Sequence, residues 1–274
     1  MAEPSQASTG STNTLDRFLR LMVEKNASDM FFSVGAPIHL KVEGMTVPIT
    51  GQPLAPGAVK TIAYPILQQH QIEEFERELE LNLAYSLAGL GRFRVNLFRQ
   101  RGETAMVIRY IKTRVPTLDD LQMPYILRDI IMRKRGLVLM VGATGSGKST
   151  TLAAMINFRN ETSAGHIITI EDPIEFLHPF KRSIINQREV GSDTKSFENA
   201  LKNAMREAPD VILIGEIRER EMMEYAIAYA ETGHLCLATL HANNANQALE
   251  RILSFFPLEH RDRLFMGLSM NLQA

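Results

Sequence analysis

The chain has 274 residues, 45% of them hydrophobic and 22% charged, so it can bury a core and does not have the composition of a disordered protein. Basic residues number 30 against 31 acidic ones, a net charge of -1, which excludes a bulk electrostatic hold on nucleic acid or an anionic membrane. A single cysteine, Cys236, excludes an internal disulfide and any multi-cysteine metal site within the chain.

Residues 1–14 (MAEPSQASTGSTNT) lack the basic start and apolar stretch of a signal peptide and read as a flexible Ser/Thr-rich tail. Apolar runs such as 137–141 and 211–214 fall far short of the roughly 18 residues of a membrane-spanning helix, so a cytoplasmic protein is expected. Leu15, Phe18, Leu19, Met22 and Val23 carry the three-and-four spacing of an amphipathic helix ending near Asn26. Residues 30–34 and 38–42 read as strands, Glu43-Gly44 as a tight turn and 45–49 as its return strand. Residues 57–80 read as two helices, the second strongly acidic. In 92–97 the alternation puts Phe93, Val95 and Leu97 on one face of a strand, and a turn at Gly102 leads into a partner strand over 104–111. Residues 15–111 thus form a small α+β domain with helices on a mainly antiparallel sheet.

Residues 112–116, basic and ending in Pro116, are expected to link this unit to a second domain over 117–274. There, apolar strands at 137–141, 166–170, 211–215 and 235–240, with 183–190 as an extra strand, alternate with helices at 149–158, 197–207 and 220–231. Continuous apolar strands alternating with helices predict a mostly parallel α/β sheet covered on both faces.

The strongest chemical signal is Gly142-Ala143-Thr144-Gly145-Ser146-Gly147-Lys148-Ser149, which fits the phosphate-loop pattern and sits between a buried strand and a helix that continues from Thr150. Its glycines allow backbone N–H groups to curl around a phosphate chain at a helix N-terminus. Gly142 to Thr150 are therefore the candidate nucleotide-binding residues. Lys148 would reach the β- and γ-phosphates of ATP, and Ser149 would offer its hydroxyl to Mg²⁺.

Ligands of open parallel sheets sit at the carboxyl ends of the strands, and the other strands also end in polar groups. Glu171, Asp172 and Glu175 follow one strand, Glu216 follows the next, and His241 the last. Glu216 fills the Mg²⁺-side acidic role, largely through water, while Glu171, Asp172 or Glu175 is the base for the attacking water. Asp210 starts its strand and lies at the wrong end. His241 reads as a phosphate sensor, whereas His234 fits either a site role or a packing role; neither has the companions that zinc needs. Arg92, Arg94, Arg99, Arg101 and Arg109 cluster on the first-domain hairpin, where an arginine could serve a neighbouring subunit's active site.

Together these segments resemble the secretion-type hexameric ATPases, and within them the type IV pilus retraction motors of the PilT/PilU family. GATGSGKSTTLAA resembles the Walker A segment, TIEDPIEF (169–176) the Asp box, APDVILIGEIR (208–218) Walker B and TGHLCLATLHANNA (232–245) the His box; NQREVG (186–191) and GRFRVN (91–96) also match. The resemblance implies a RecA-like P-loop ATPase domain after a PAS-like N-terminal domain. It also implies Glu175 as the catalytic glutamate, Glu216 as the Mg²⁺-side glutamate, His234 and His241 as the His-box pair, and Arg109 as the best match for a trans-acting arginine. Ala208 and the run 235–249 resemble the accessory branch of the retraction motors, and Glu219 stands where the family often has Asp. The chain ends at Ala274, inside what resembles the ATPase domain, so that domain is expected to be C-terminally incomplete.

The resemblance implies Mg²⁺-dependent ATP hydrolysis by a hexameric ring that drives or assists pilus retraction in twitching motility. It places the ring in the cytoplasm, peripheral at the inner membrane through a platform protein, and working with a paralogous PilT-type ATPase. Two rival readings are an ATP-binding accessory subunit with little turnover of its own, and a pilus-assembly or type II secretion ATPase. A DNA-translocating relative gains no support from the near-neutral charge, and no nucleic acid partner is expected.

Overall fold

A computed structural model describes residues 14–111 and 114–274 of the protein. The expected tail, except Thr14, and residues 112–113 of the expected linker lie outside the described residues. The chain divides into two compact units, Met1–Ile111 and Lys112–Ala274.

The first unit opens with α1 (Thr14–Glu24), whose apolar stripe buries Leu15, Leu19 and Met22. It continues through β1 (Asp29–Phe32), β2 (His39–Val42), β3 (Met45–Pro48), α2 (Ala58–Ala63), α3 (Gln69–Glu78), β4 (Glu80–Leu87), β5 (Gly91–Gln100) and β6 (Glu103–Ile111). The six strands form one sheet in the order β3-β2-β1-β6-β5-β4, with every neighbouring pair antiparallel. Both β2–β3 and β5–β6 are joined by two-residue turns with positive φ at both positions, Glu43-Gly44 and Arg101-Gly102, the twist that suits a tight hairpin. Phe93, Val95 and Leu97 point into a core shared with Leu15, Leu19 and Phe75 of the helices, an α+β arrangement.

One element departs from the sequence reading. The second of the two helices expected over 57–80 ends at Glu78, and Glu80 instead begins β4, a strand with no counterpart among the expected elements. Leu79 takes a left-handed conformation, φ 66°, and breaks the helix there. Beyond it Leu81 and Leu83 are buried while Glu80 and Asn82 are exposed, the period-two pattern of an edge strand.

The second unit comprises α4 (Ile126–Ile131), β7 (Gly136–Val141), α5 (Lys148–Thr162), β8 (Gly165–Glu171), β9 (Ser183–Glu189), α6 (Phe197–Ala204), β10 (Val211–Ile214), α7 (Arg220–Glu231), β11 (Leu235–Leu240), α8 (Ala245–Ser254) and α9 (Arg261–Asn271). Its sheet has the order β7-β11-β10-β8-β9, and every neighbouring pair is parallel. Side chains alternate between two cores. Ile168, Ile212, Ile214 and Cys236 pack with α6, α7, α8 and α9, whereas Ile167, Val211, Leu213 and Leu235 pack with α4 and α5. Helices on both faces explain why these strands read as unbroken apolar runs. Burial in the first of these cores pushes the Cys236 thiol well above its ordinary range, which keeps it protonated and inert. At the amino ends of the strands, Asp210 Oδ2 accepts a hydrogen bond from His166 N at 2.8 Å, far from the carboxyl edge where the phosphate loop lies.

Candidate active site

Strand β7 ends at Val141, and the chain turns through residues 142–147 before α5 starts at Lys148. Gly145 and Gly147 have φ of +77° and +90°, conformations that side chains with a Cβ rarely adopt, and Gly147 is the residue that caps α5. The turn therefore presents its backbone N–H groups at the helix N-terminus, where the helix dipole favours an anion. Lys148 is nearly buried, and its Nζ donates to the carbonyls of Gly142 and Ala143, each at 2.9 Å, so the ammonium is held against the loop it serves.

A cavity of about 310 Å³ lies between this loop and the carboxyl ends of β8, β10 and β11. Lys148, Ser149, Glu175, Glu216, Arg218 and His241 all line it. Ser149 Oγ donates to Glu175 Oε1 at 3.1 Å, which ties the first turn of α5 to the loop after β8. Glu216 follows β10 and sits between two cationic or protonatable groups: Arg218 Nε donates to its Oε2 at 2.9 Å, and His241 Nε2 lies 3.2 Å from its Oε1. A second nitrogen of Arg218 reaches Asp172 Oδ2 at 3.4 Å. Glu171 is more enclosed. Burial pushes its carboxyl up from the ordinary range, opposed by hydrogen bonds from Thr169 Oγ1 at 2.7 Å and Gln187 Nε2 at 3.2 Å.

The sequence-derived candidates are distributed unevenly around this cavity. Thr144, Gly145, Gly147 and Thr150 line it together with Lys148 and Ser149, and Gly142, Ala143 and Ser146 complete the loop. Glu171, Asp172 and Glu175, the three open choices for a base, all border it, but among them Glu175 holds the contact to Ser149. His241 lies at the carboxyl end of β11 and His234 just before its amino end, so the two are separated by the full length of the strand. The His234 ring nitrogen Nδ1 lies 3.1 Å from Thr232 Oγ1 and 3.2 Å from the Tyr229 carbonyl, a packing environment outside the cavity. Arg109 belongs to the first unit, where its Nε donates to Asp29 Oδ1 at 2.8 Å across the β1–β6 ladder.

Several site residues escaped sequence reasoning. Arg218 is one; its signal was its position two residues after Glu216. Thr239, whose hydroxyl donates to the Gly215 carbonyl, and Phe197, at the start of α6, also line the cavity. Gln187 and Glu189 on β9 hold the loop that carries Glu175; the match of NQREVG (186–191) marked their segment, but only the β8–β9 pairing shows what they do.

A five-stranded parallel sheet with a phosphate loop after its edge strand and carboxylates on the same edge defines a RecA-like P-loop ATPase. The model of the Type II/IV secretion system protein family matches residues 7–260, and the chain belongs to that family. It is 55% identical over 259 residues to the type IV pilus ATPase PilU of Pseudomonas aeruginosa, an alignment covering 94% of this chain and 68% of that protein. It is 41% identical over 260 residues to the type IV pilus retraction ATPase PilT of the same organism, covering 95% of this chain and 76% of that one. The crystal structure of the pilus retraction motor PilT with bound ADP superposes with a TM-score of 0.89 at 41% identity, over 94% of this chain and 75% of that chain. The chain thus falls within the PilT/PilU type of this ATPase family.

Proposed function

We propose that the protein hydrolyses ATP with Mg²⁺ and does so as a ring-forming motor subunit that drives or assists type IV pilus retraction. The observation that carries the hydrolytic reading is the convergence of Lys148, Ser149, Glu175 and Glu216 on one cavity beneath a phosphate loop. The pilus role rests on the likeness to PilU and PilT.

In this reading the loop N–H groups and Lys148 bind the phosphate chain, and Lys148 offsets charge on the β- and γ-phosphates. Glu175 takes a proton from the attacking water. Glu216, oriented by Arg218 and faced by His241, fills the Mg²⁺-side acidic role, largely through water. The donor set suits Mg²⁺, because Ser149 Oγ and the neighbouring carboxylates are all hard oxygen ligands. When bound, that cation would neutralise charge on the transferring phosphoryl group.

Three further roles follow from the same likeness. Arg109 and its hairpin neighbours would act on a neighbouring subunit's nucleotide within a hexamer. A paralogous PilT-type ATPase and an inner-membrane platform protein would be its partners. No helix among the described residues is long and apolar enough to cross a membrane. Peripheral attachment at the inner membrane through that platform protein is proposed on the same likeness.

The test is Mg²⁺-dependent ATP hydrolysis per subunit over a range of protein concentrations, with Lys148→Ala as the blank. Specific activity that rises with concentration supports sites completed between subunits. Activity equal to the blank at every concentration, in protein that still binds ATP, overturns the hydrolytic reading in favour of an accessory nucleotide-binding subunit.

A further inference from the structure

We propose that Gln187 and Glu189 are positioning residues for Glu175, a clamp on β9 that fixes the peptide units on either side of it. The proposal rests on the reading of Glu175 as the base. Glu175 lies in the irregular stretch between β8 and β9, its side chain is exposed, and no helix or strand ladder sets its backbone. Three side chains do so instead: the Glu171 carboxylate accepts from the Glu175 backbone N–H, and two residues of β9 hold the peptides on either side. On one side of it, Ile174 N donates to Glu189 Oε2 at 3.1 Å. On the other, Gln187 Nε2 donates to the Phe176 carbonyl at 2.8 Å. The same amide accepts from His178 N at 2.8 Å through Oε1 and donates to Glu171 Oε1 at 3.2 Å.

Gln187 and Glu189 are two residues apart on one strand, so their side chains leave the same face, and their partners in the ladder are Thr169 and Glu171 of β8. That spacing matches the span from Ile174 to Phe176, which is why one strand can hold both flanks of Glu175. The anchor is itself fixed. Glu189 is only 5% exposed, its N–H donates to Asp193 Oδ2 at 2.8 Å, and its carbonyl accepts from Asp193 N at 2.8 Å. A carboxylate is costly to bury unless its hydrogen bonds are made, and here one of them is spent on the peptide next to Glu175. Because displacement of a catalytic group by about 1 Å can cost roughly 10²-fold in rate, such a clamp acts on turnover more than on nucleotide binding.

The experiment compares Gln187→Met, Glu189→Leu and the conservative Glu189→Gln in the full chain, and repeats Gln187→Met on Glu175→Gln. The readouts are kcat, ATP dissociation constant, and amide exchange of Ile174 and His178. We expect Gln187→Met and Glu189→Leu to lower kcat by about 10–100-fold with ATP affinity within about twofold, and Glu189→Gln to restore most of the rate. Exchange at His178 should quicken by at least about tenfold in Gln187→Met, and at Ile174 in Glu189→Leu, because each loses its acceptor. On Glu175→Gln, adding Gln187→Met should cost nothing further. A kcat within twofold of the parent in folded Gln187→Met, or a loss that multiplies fully with that of Glu175→Gln, overturns the clamp. Should Glu189→Leu not fold, Gln187→Met decides alone. If Glu175→Gln itself keeps full turnover, the base assignment fails, and the exchange rates still decide whether the clamp exists.

Discussion

Ser149 and Glu175, 26 positions apart, meet through a 3.1 Å hydrogen bond that joins the first turn of α5 to the loop following β8. One of these residues offers a hydroxyl where a phosphate-bound cation would sit, and the other a carboxylate where an attacking water would lose its proton. On the proposed assignment Ser149 is the cation ligand and Glu175 the proton acceptor, and substitution separates the two roles. Glu175→Gln keeps the size and an acceptor oxygen but removes the basic charge. It should lower kcat by about 10²–10⁴-fold while ATP affinity stays within about threefold. Single-turnover hydrolysis alongside equilibrium nucleotide binding checks this, and a variant that retains a tenth or more of the rate would refute the role.

Arg218 should matter for rate and hardly at all for stability. Its guanidinium bonds Glu216 at 2.9 Å and reaches Asp172 at 3.4 Å, but its side chain is 52% exposed, and an exposed ion pair contributes little to folding. Arg218→Ala leaves Glu216 free to turn away from the cavity. The expected result is a fall in kcat of about tenfold with a Tm within about 2 °C of the parent. Thermal unfolding and steady-state kinetics on the same preparation separate the two effects.

His178 gives the fold a pH dependence of its own. Burial, reinforced by the nearby Lys181 charge, lowers its pKa to about 4 from the ordinary value of 6.5, and its buried Nδ1 has no hydrogen-bond partner. Well above pH 6.5 the imidazole is neutral both folded and unfolded, so it contributes no pH dependence there. As pH falls below 6.5 the unfolded chain takes up the proton first, and stability is lost progressively until pH reaches about 4. The loss from this group should be about 2 kcal/mol at pH 5. Urea unfolding at pH 7.5 and 5.0 should show a correspondingly smaller difference for His178→Phe than for the parent, and equal differences would exclude His178 as the cause.

What was legible in the sequence was what lies contiguous in it. The phosphate loop announces itself because one turn needs glycines, a lysine and a serine in immediate succession, and the strands of the parallel sheet because burial on both faces leaves unbroken apolar runs. Glu216 and His241 could be placed because each follows a run of strand residues directly. The clamp on β9 could not, since Gln187 and Glu189 gain their meaning only from the register that sets β9 beside β8. β4 was obscured by charge: Glu73, Glu74, Glu76, Glu78 and Glu80 read as one continuing acidic helix, and the break depends on the left-handed turn at Leu79. The distance between His234 and His241 was already implicit in the strand between them, which carries its two ends to opposite edges of the sheet.

Gly215, between β10 and Glu216, is a close backbone approach in the site. Its N–H donates to the Ile170 carbonyl at 2.8 Å, and the Thr239 hydroxyl donates to its own carbonyl. A Cβ built on Gly215 would stand 3.1 Å from Glu171 Cα and 3.1 Å from the Ile170 oxygen. Both neighbours are backbone of β8, so neither can swing aside as a side chain would, and the strands must part. Gly215→Ala should therefore destabilise the fold by about 1–3 kcal/mol, the usual cost of overpacking. Parting the strands also moves Glu216 relative to Glu171 and Glu175, so kcat should fall by at least about tenfold even at temperatures where the variant is fully folded. Urea midpoints and initial rates measured well below the Tm test both halves. A stable but inactive variant would assign Gly215 to site geometry alone, whereas wild-type values on both measures would show that β8 and β10 yield more readily than their spacing implies.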